Sequence, residues 1–328
     1  MSPYKIQHAT LNFKIITMIT KPCAIGIDLG GTFIKYALVS QTGDIIIDGK
    51  LPIGGEATRE DTLDAIQEAI QNVVEDANIK GLELKGIGIG SPGVVDKGVV
   101  LGGADNLDRW ENIDLGSIYS DKFHMPVFVD NDANVMGLGE VAFGAAKECS
   151  DVIFITVGTG IGGAIVINGQ LYGGYKNRGG ELGHVAIQHD GIDCSCGGRG
   201  CLEAYASTSA LIDQYVDITG KDINHVDGHY IIKRFKENEP EAVACLKAHT
   251  EYLGHGIAGF INTFAPQKVV IGGGISEAGA FYIDMIKEAA FRYAMPHCSS
   301  HTDILAASLG NNAGCMGAAS LVFKNTIL

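Results

Sequence analysis

The stretch 181–203, ELGHVAIQHDGIDCSCGGRGCLE, constrains this chain more than any other, because it gathers His184, Cys194, Cys196 and Cys201 between two carboxylates. The order is His, nine residues, Cys, one residue, Cys, four residues, Cys, with Gly197, Gly198 and Gly200 supplying the tight turns that let three thiolates converge. Cys3His is a standard ligand set for tetrahedral structural zinc, so one zinc ion is expected here. Four protein ligands leave no open position for a water, so such an ion builds a binding wall and does not catalyse. His189, also in the loop, is expected to be an exposed residue and not a ligand.

A chain of 328 residues is long enough for two domains, or for two lobes around a cleft. With 46% hydrophobic and 19% charged residues it reads as globular. A net charge of −14 argues against nucleic acid as a partner, since phosphate-backbone binding runs on an excess of Lys and Arg. A phosphorylated small molecule remains open, because backbone N–H groups hold phosphate without side-chain charge. The 45 glycines cluster in G-x-G and G-G turns, a pattern of nucleotide or sugar loops. Cys23, Cys149, Cys245, Cys298 and Cys315 are scattered singly, which fits a reducing cytoplasm better than a disulfide scaffold. No run of 18 apolar residues marks a transmembrane helix. Segment 1–22 lacks the apolar region and cleavage site of a signal peptide and is taken as an N-terminal extension; residues 1–17 are loosely held, or translation starts at Met18.

Three glycine turns punctuate the rest. The first apolar run ends in Asp28-Leu-Gly-Gly-Thr32, where Gly30 and Gly31 let N–H groups approach an anion and Thr32 adds a hydroxyl; the same residues also suit an ordinary hairpin. Lys35 either neutralises phosphate or is simply on the surface. Helical periodicity covers 61–79, and a buried strand then runs into Ser91-Pro92-Gly93, either a plain turn or a cleft edge. Asn106 and Trp110 follow in a loop, and the Asn106 amide suits a hydroxyl-bearing ligand. Next, V-D-N-D-A-N opens a helix: Asn131 and Asp132 are N-caps, or Asp132 is a general base at a cleft. Gly158-Thr159-Gly160 is a second turn able to receive phosphate, and two such loops in separate halves suggest duplicated lobes with a nucleotide between them. Beyond the cysteines, 204–217 and 241–264 are helical while 218–240 is polar and less regular. A last glycine turn holds Gly273 and Gly274, where a nucleoside can lie flat against the backbone.

Taken in order, D-L-G-G-T, S-P-G, V-D-N-D-A-N, G-T-G-I-G-G, E-L-G-H, C-S-C-G-G-R-G-C-L-E and I-G-G-G-I-S resemble the ROK family of sugar kinases and repressors over about residues 25–323, with the look of bacterial glucokinases. The resemblance implies an actin-like ATPase (ribonuclease H-like) α/β fold of two lobes. The first would take 23–126 plus 310–328, and the second 127–309 with a zinc-binding loop at 184–201. It implies transfer of the γ-phosphate of ATP, with Mg2+, to a hexose 6-hydroxyl, glucose first, with an N-acetylmannosamine or N-acetylglucosamine kinase as the nearest alternative. Asp132 matches the catalytic base; Asn106, Asn131, Glu181, His184 and Glu203 match sugar-binding positions. Asp28, Gly30, Gly31, Thr32, Gly158, Thr159 and Gly160 match the phosphate loops, with Asp28 near magnesium, and Gly273 and Gly274 match the nucleoside site. A homodimer is the assembly expected for the family. Its repressors carry a helix-turn-helix ahead of the first strand, for which the 24 residues before Ile25 are too few.

Overall fold

Apolar runs that stop at glycine become the strands of two mixed sheets. In the computed structural model, which describes residues 21–55, 57–104 and 107–326, β1 (Cys23–Leu29) turns back into β2 (Phe33–Ser40), and β2 pairs antiparallel with β3 (Ile45–Pro52). The segment 1–17 and Asn106 lie outside the described residues. Helix α1 (Arg59–Lys80) starts in a capping box between Thr58 and Asp61 and stops at Gly81, whose φ of 65° is left-handed. It leads to β4 (Leu84–Ser91), parallel to β1. A small antiparallel sheet of β5 (Val94–Asp96), β6 (Val99–Gly102) and β7 (Ile113–Asp114) follows, then α2 (Leu115–Phe123) and β8 (Val127–Asn131), which pairs parallel with β4.

The second half repeats the plan. Helix α3 (Asp132–Phe143) precedes β9 (Val152–Val157), β10 (Ile161–Ile167) and β11 (Gln170–Leu171). After the cysteine loop come α4 (Leu202–Ala206), α5 (Thr208–Thr219), α6 (Gly228–Lys236) and α7 (Pro240–Phe264). The chain closes with β12 (Lys268–Gly272), α8 (Ala280–Tyr293), α9 (Pro296–Ser299), β13 (Asp303–Ala306) and α10 (Ala313–Thr326). The sheets run β3-β2-β1-β4-β8 and β11-β10-β9-β12-β13, so each has the same order and the same mix of parallel and antiparallel neighbours. This is the duplicated α/β architecture of the actin-like ATPases. Among the described residues no helix is long and apolar enough to cross a membrane.

Two expectations need correction. The lobe boundary at 126/127 falls too early, because β8 completes the first sheet and the chain leaves it only at α3. Segment 218–240 is not irregular: α6 forms within it, capped by the Asp227 side chain, which accepts from Tyr230 N at 2.7 Å, and it buries Ile231 and Ile232.

The lobes join through α3 and α10, which approach backbone to backbone. A Cβ at Gly317 would stand 1.6 Å from the Val135 carbonyl oxygen, and one at Gly139 would stand 2.7 Å from that of Ala313. Glu140, fully buried, locks the crossing: Oε1 accepts from Ser308 N and Leu309 N at 2.9 Å, and Oε2 from Ala145 N at 2.7 Å and Ser308 Oγ at 3.1 Å. Gly317→Ala is therefore expected to destabilise the protein by about 3 kcal/mol or more, since rigid backbone must move to admit a methyl group. Chemical denaturation measures this, and wild-type stability in the variant would contradict the crossing.

Candidate active site

Strands β1, β4 and β8 end side by side, and their register sets the charges of the cleft. Asp28 lies opposite Gly90, and Gly90 opposite Asp130, so two carboxyl groups flank a glycine; one residue further, Ser91 faces Asn131. Asn131 is the N-cap of α3, with Oδ1 accepting from Ala133 N at 2.9 Å and Asn134 N at 3.2 Å, while Nδ2 donates to Gly93 O at 3.1 Å. Capping thus uses the oxygen and leaves one amide hydrogen for the cavity that Asn131 lines.

Asp132 is the first residue of α3. Burial pushes its carboxyl up to about 6, the Ala133 N–H at 2.8 Å pulls it down, and the Asp28 charge raises it further. Asp28, 6% exposed, is likewise raised by burial and drawn back by Lys35, whose Nζ lies 3.8 Å from Oδ2. Lys35 is about half in solvent and its Nζ also donates to Asn311 O at 3.4 Å, so it bridges β2 to the segment before α10. A carboxyl near 6 suits a general base working close to neutrality.

A cavity of about 690 Å3 brings Asn131, Asp132, Gly158, Thr159, Gly160, Glu181, His184 and Glu203 onto one surface. The β9–β10 turn is tight, with Gly158 N donating to Gly160 O at 2.9 Å. A Cβ at Gly160 would lie 2.4 Å from Glu203 Oε2, so a side chain there would displace that carboxylate. That oxygen accepts from Ile161 N at 2.8 Å, and Oε1 stands 4.0 Å from His184 Nδ1. One Glu203 oxygen is thus fixed by backbone, while Oε1 accepts from Ser195 Oγ at 3.4 Å and keeps a further acceptor site toward the cavity. Gly30, Gly31, Thr32 and Lys35 are not part of this wall; they follow Asp28 in the β1–β2 hairpin. Asn134, Asn177 and Ser195 also line the cavity and were not anticipated, although Asn134 belongs to the same V-D-N-D-A-N motif.

The four metal-ligand candidates converge. Their donor atoms all lie within 4.8 Å of one another, with Cys194 Sγ 3.7 Å from His184 Nδ1 and Cys196 Sγ 3.7 Å from Cys201 Sγ. A tetrahedral ion with metal–sulfur bonds of about 2.3 Å needs sulfurs about 3.7 Å apart, so the set fits zinc. Burial pushes the Cys201 thiol up to about 12, so this sulfur needs a cation beside it to act as a thiolate, whereas the Gly198 N–H lowers Cys196. Because Nδ1 of His184 points to the sulfurs, Nε2 is the nitrogen left for the cavity. His189 is exposed and outside the cluster.

A second cavity, about 220 Å3, shares Gly158 and Thr159 with the first and continues to Gly274. Gly273 forms the turn above it at φ 90°, and its Cβ would stand 2.1 Å from Val157 O. Ile212, Ile232 and Ile275 give apolar walls, and Thr208 Oγ1 is buried with no hydrogen-bond partner among the described residues. A flat heterocycle with polar edges suits such a slot. The contribution of α5 and α6 was missed, because their lining residues sit in short helices without glycine motifs.

The ROK family model matches residues 24–325. A glucokinase of Thermotoga maritima is 34% identical over 311 residues, 91% of this chain and 96% of that protein. A xylose repressor of Bacillus spizizenii is 34% identical over 302 residues, 92% of this chain and 77% of the repressor. A ROK family glucokinase of Streptomyces griseus, solved in complex with glucose and AMPPNP, has a TM-score of 0.79 and 32% identity, covering 92% of this chain and 100% of that one.

Two predictions follow from these charges and sulfurs. A carboxyl raised above its unfolded value of 3.8 adds stability only while protonated, and that contribution is lost as pH rises through about 6. Asp132→Asn is therefore expected to exceed wild type in stability by roughly 1–3 kcal/mol at pH 8 and to match it near pH 4; equal stability at both pH values would refute the raised carboxyl. Metal analysis of Cys194→Ser should show about one equivalent of zinc lost per chain, and undiminished zinc would exclude Cys194 as a ligand.

Proposed function

The chain belongs to the ROK family, and we propose that within it the protein is an ATP-dependent sugar kinase that phosphorylates the 6-hydroxyl of a hexose, glucose foremost. The observation that carries this reading is Asp132: a buried carboxyl raised to about 6, on the same cavity wall as Glu181, His184, Glu203 and the β9–β10 turn. Phosphoryl transfer asks little covalent chemistry of a protein, so alignment and charge neutralisation carry most of the rate. Asp132 orients the acceptor hydroxyl and takes its proton. Glu203 Oε1, the spare Asn131 amide hydrogen and His184 Nε2 bind other hydroxyls, and each discriminates because a missing partner leaves a buried polar group unpaired.

The γ-phosphate meets backbone donors of Thr159 and Gly160, since the Gly158 N–H is engaged within the turn, and the nucleoside occupies the slot toward Gly274. The glucose and AMPPNP bound to the Streptomyces griseus relative support this pairing of sites. Magnesium bound near Asp28 would offset phosphate charge, as one or two carboxylates commonly arrange. Zinc on the Cys3His set would hold the His184 ring plane and so stiffen the sugar-facing wall.

The likeness to a xylose repressor supports a second reading, a regulator that binds sugar without turnover. An assay of ADP release with ATP, magnesium and a panel of glucose, fructose, allose, N-acetylmannosamine and N-acetylglucosamine separates the two. We expect preference for glucose, a fall in kcat/KM as pH drops below about 6, and a loss of roughly 10^2–10^4-fold in Asp132→Asn. Sugar binding without ADP release would favour the regulator, and a variant with most of the wild-type rate would remove Asp132 from the base role.

A further inference from the structure

The one tryptophan of the chain, Trp110, is 2% exposed and joined to the cleft by a series of hydrogen bonds. Its Nε1 donates to Ser91 Oγ at 3.0 Å, and Ser91, fully buried, donates onward to Pro92 O at 3.1 Å. The next carbonyl, Gly93 O, accepts from Asn131 Nδ2 at 3.1 Å, and Asn131 caps the helix that begins with Asp132. Ser91 and Asn131 are also register partners in the β4–β8 pair. The turn 91–93 is thus gripped from one side by the indole and from the other by the cap residue. Pro92 and Gly93 form part of the cavity wall. No side chain fits at position 93, since a Cβ there would lie 2.5 Å from Gly102 O.

A buried indole N–H needs an acceptor wherever it sits, so what distinguishes Trp110 is which acceptor it finds. Here the donor reaches a serine that is two residues from the Asn131 contact and one strand away from Asp132. We infer that Trp110 is a positioning residue for the acceptor sugar: its indole N–H fixes the 91–93 turn, and the turn fixes the Asn131 amide beside Asp132. The inference rests on the sugar-kinase reading. It makes Trp110 act through Asn131, with no contact to the reacting atoms.

The test uses the full-length protein. Trp110→Phe removes the donor together with some buried ring volume, while Ser91→Ala removes the acceptor at nearly unchanged volume and so isolates the hydrogen bond. Each is expected to raise the sugar KM about tenfold while kcat and the KM for ATP move less than about threefold, and the double variant should be no worse than the worse single one. Because Trp110 is the only tryptophan, wild-type tryptophan fluorescence should change on titration with the sugar and saturate with it. Unchanged sugar KM in both single variants, or additive losses in the double variant, would overturn the proposal. So would variants that lose thermal stability and kcat at constant sugar KM, the pattern of a purely structural tryptophan. Absence of turnover in the wild type with any sugar would instead overturn the kinase reading, and the positioning role with it.

Discussion

Helices α3 and α10 touch through glycine backbone, and the chemistry of the cleft depends on that contact. Helix α3 begins with Asp132, and α10 begins beside Asp28, where a Cβ at Gly314 would lie 2.4 Å from the Asp28 carboxyl carbon. The two acids are thus placed at the N-terminal ends of two helices that cross where the lobes meet. Both ends carry a partial positive charge that favours a carboxylate, which opposes the burial that favours the acid. Burial wins at both positions, and at Asp132 the neighbouring charge adds to it.

This arrangement stores a cost in the folded protein. A carboxyl that would ionise near 3.8 in the unfolded chain is held near 6, so its charge at neutral pH is maintained against the environment. The same tension gives it the basicity a proton acceptor needs. On the other side of the cavity, the Ile161 N–H holds one Glu203 oxygen, and Leu182 and Leu202, close to His184 and Glu203 in the chain, are buried in the core of the second lobe. Groups held by backbone and core thus face a carboxyl raised by burial across one cavity.

Much of the site was legible because its signals are local. The Cys3His spacing, the turn at Gly158 and the V-D-N-D-A-N motif each specify chemistry within a few residues, and the structure brings Asp132, Glu181, His184 and Glu203 onto one cavity. Asn131 shows the limit of such reading, since the motif alone suits a helix cap and the side chain both caps α3 and lines the cavity. What sequence left obscure depends on pairing across distance. Nothing in Val127–Asn131 itself says that the strand joins the first sheet, because a parallel partner is chosen by β4 and by the helices that cover it. Helix α6 was hidden because it is nine residues long and rich in lysine and arginine, with only a short apolar face. The Glu140 lock is likewise invisible, as its partners Ser308 and Leu309 lie more than 160 residues away.

The central claim is that the lobe junction itself sets the proton affinity of Asp132. Observing the Asp132 carboxyl carbon by 13C NMR through a pH titration, with Asp28→Asn alongside, reads that affinity without turnover. The account predicts an inflection near pH 6 in the wild type and a lower one once the Asp28 charge is removed. An inflection in the ordinary carboxylate range near 3.8, unmoved by Asp28→Asn, would contradict it.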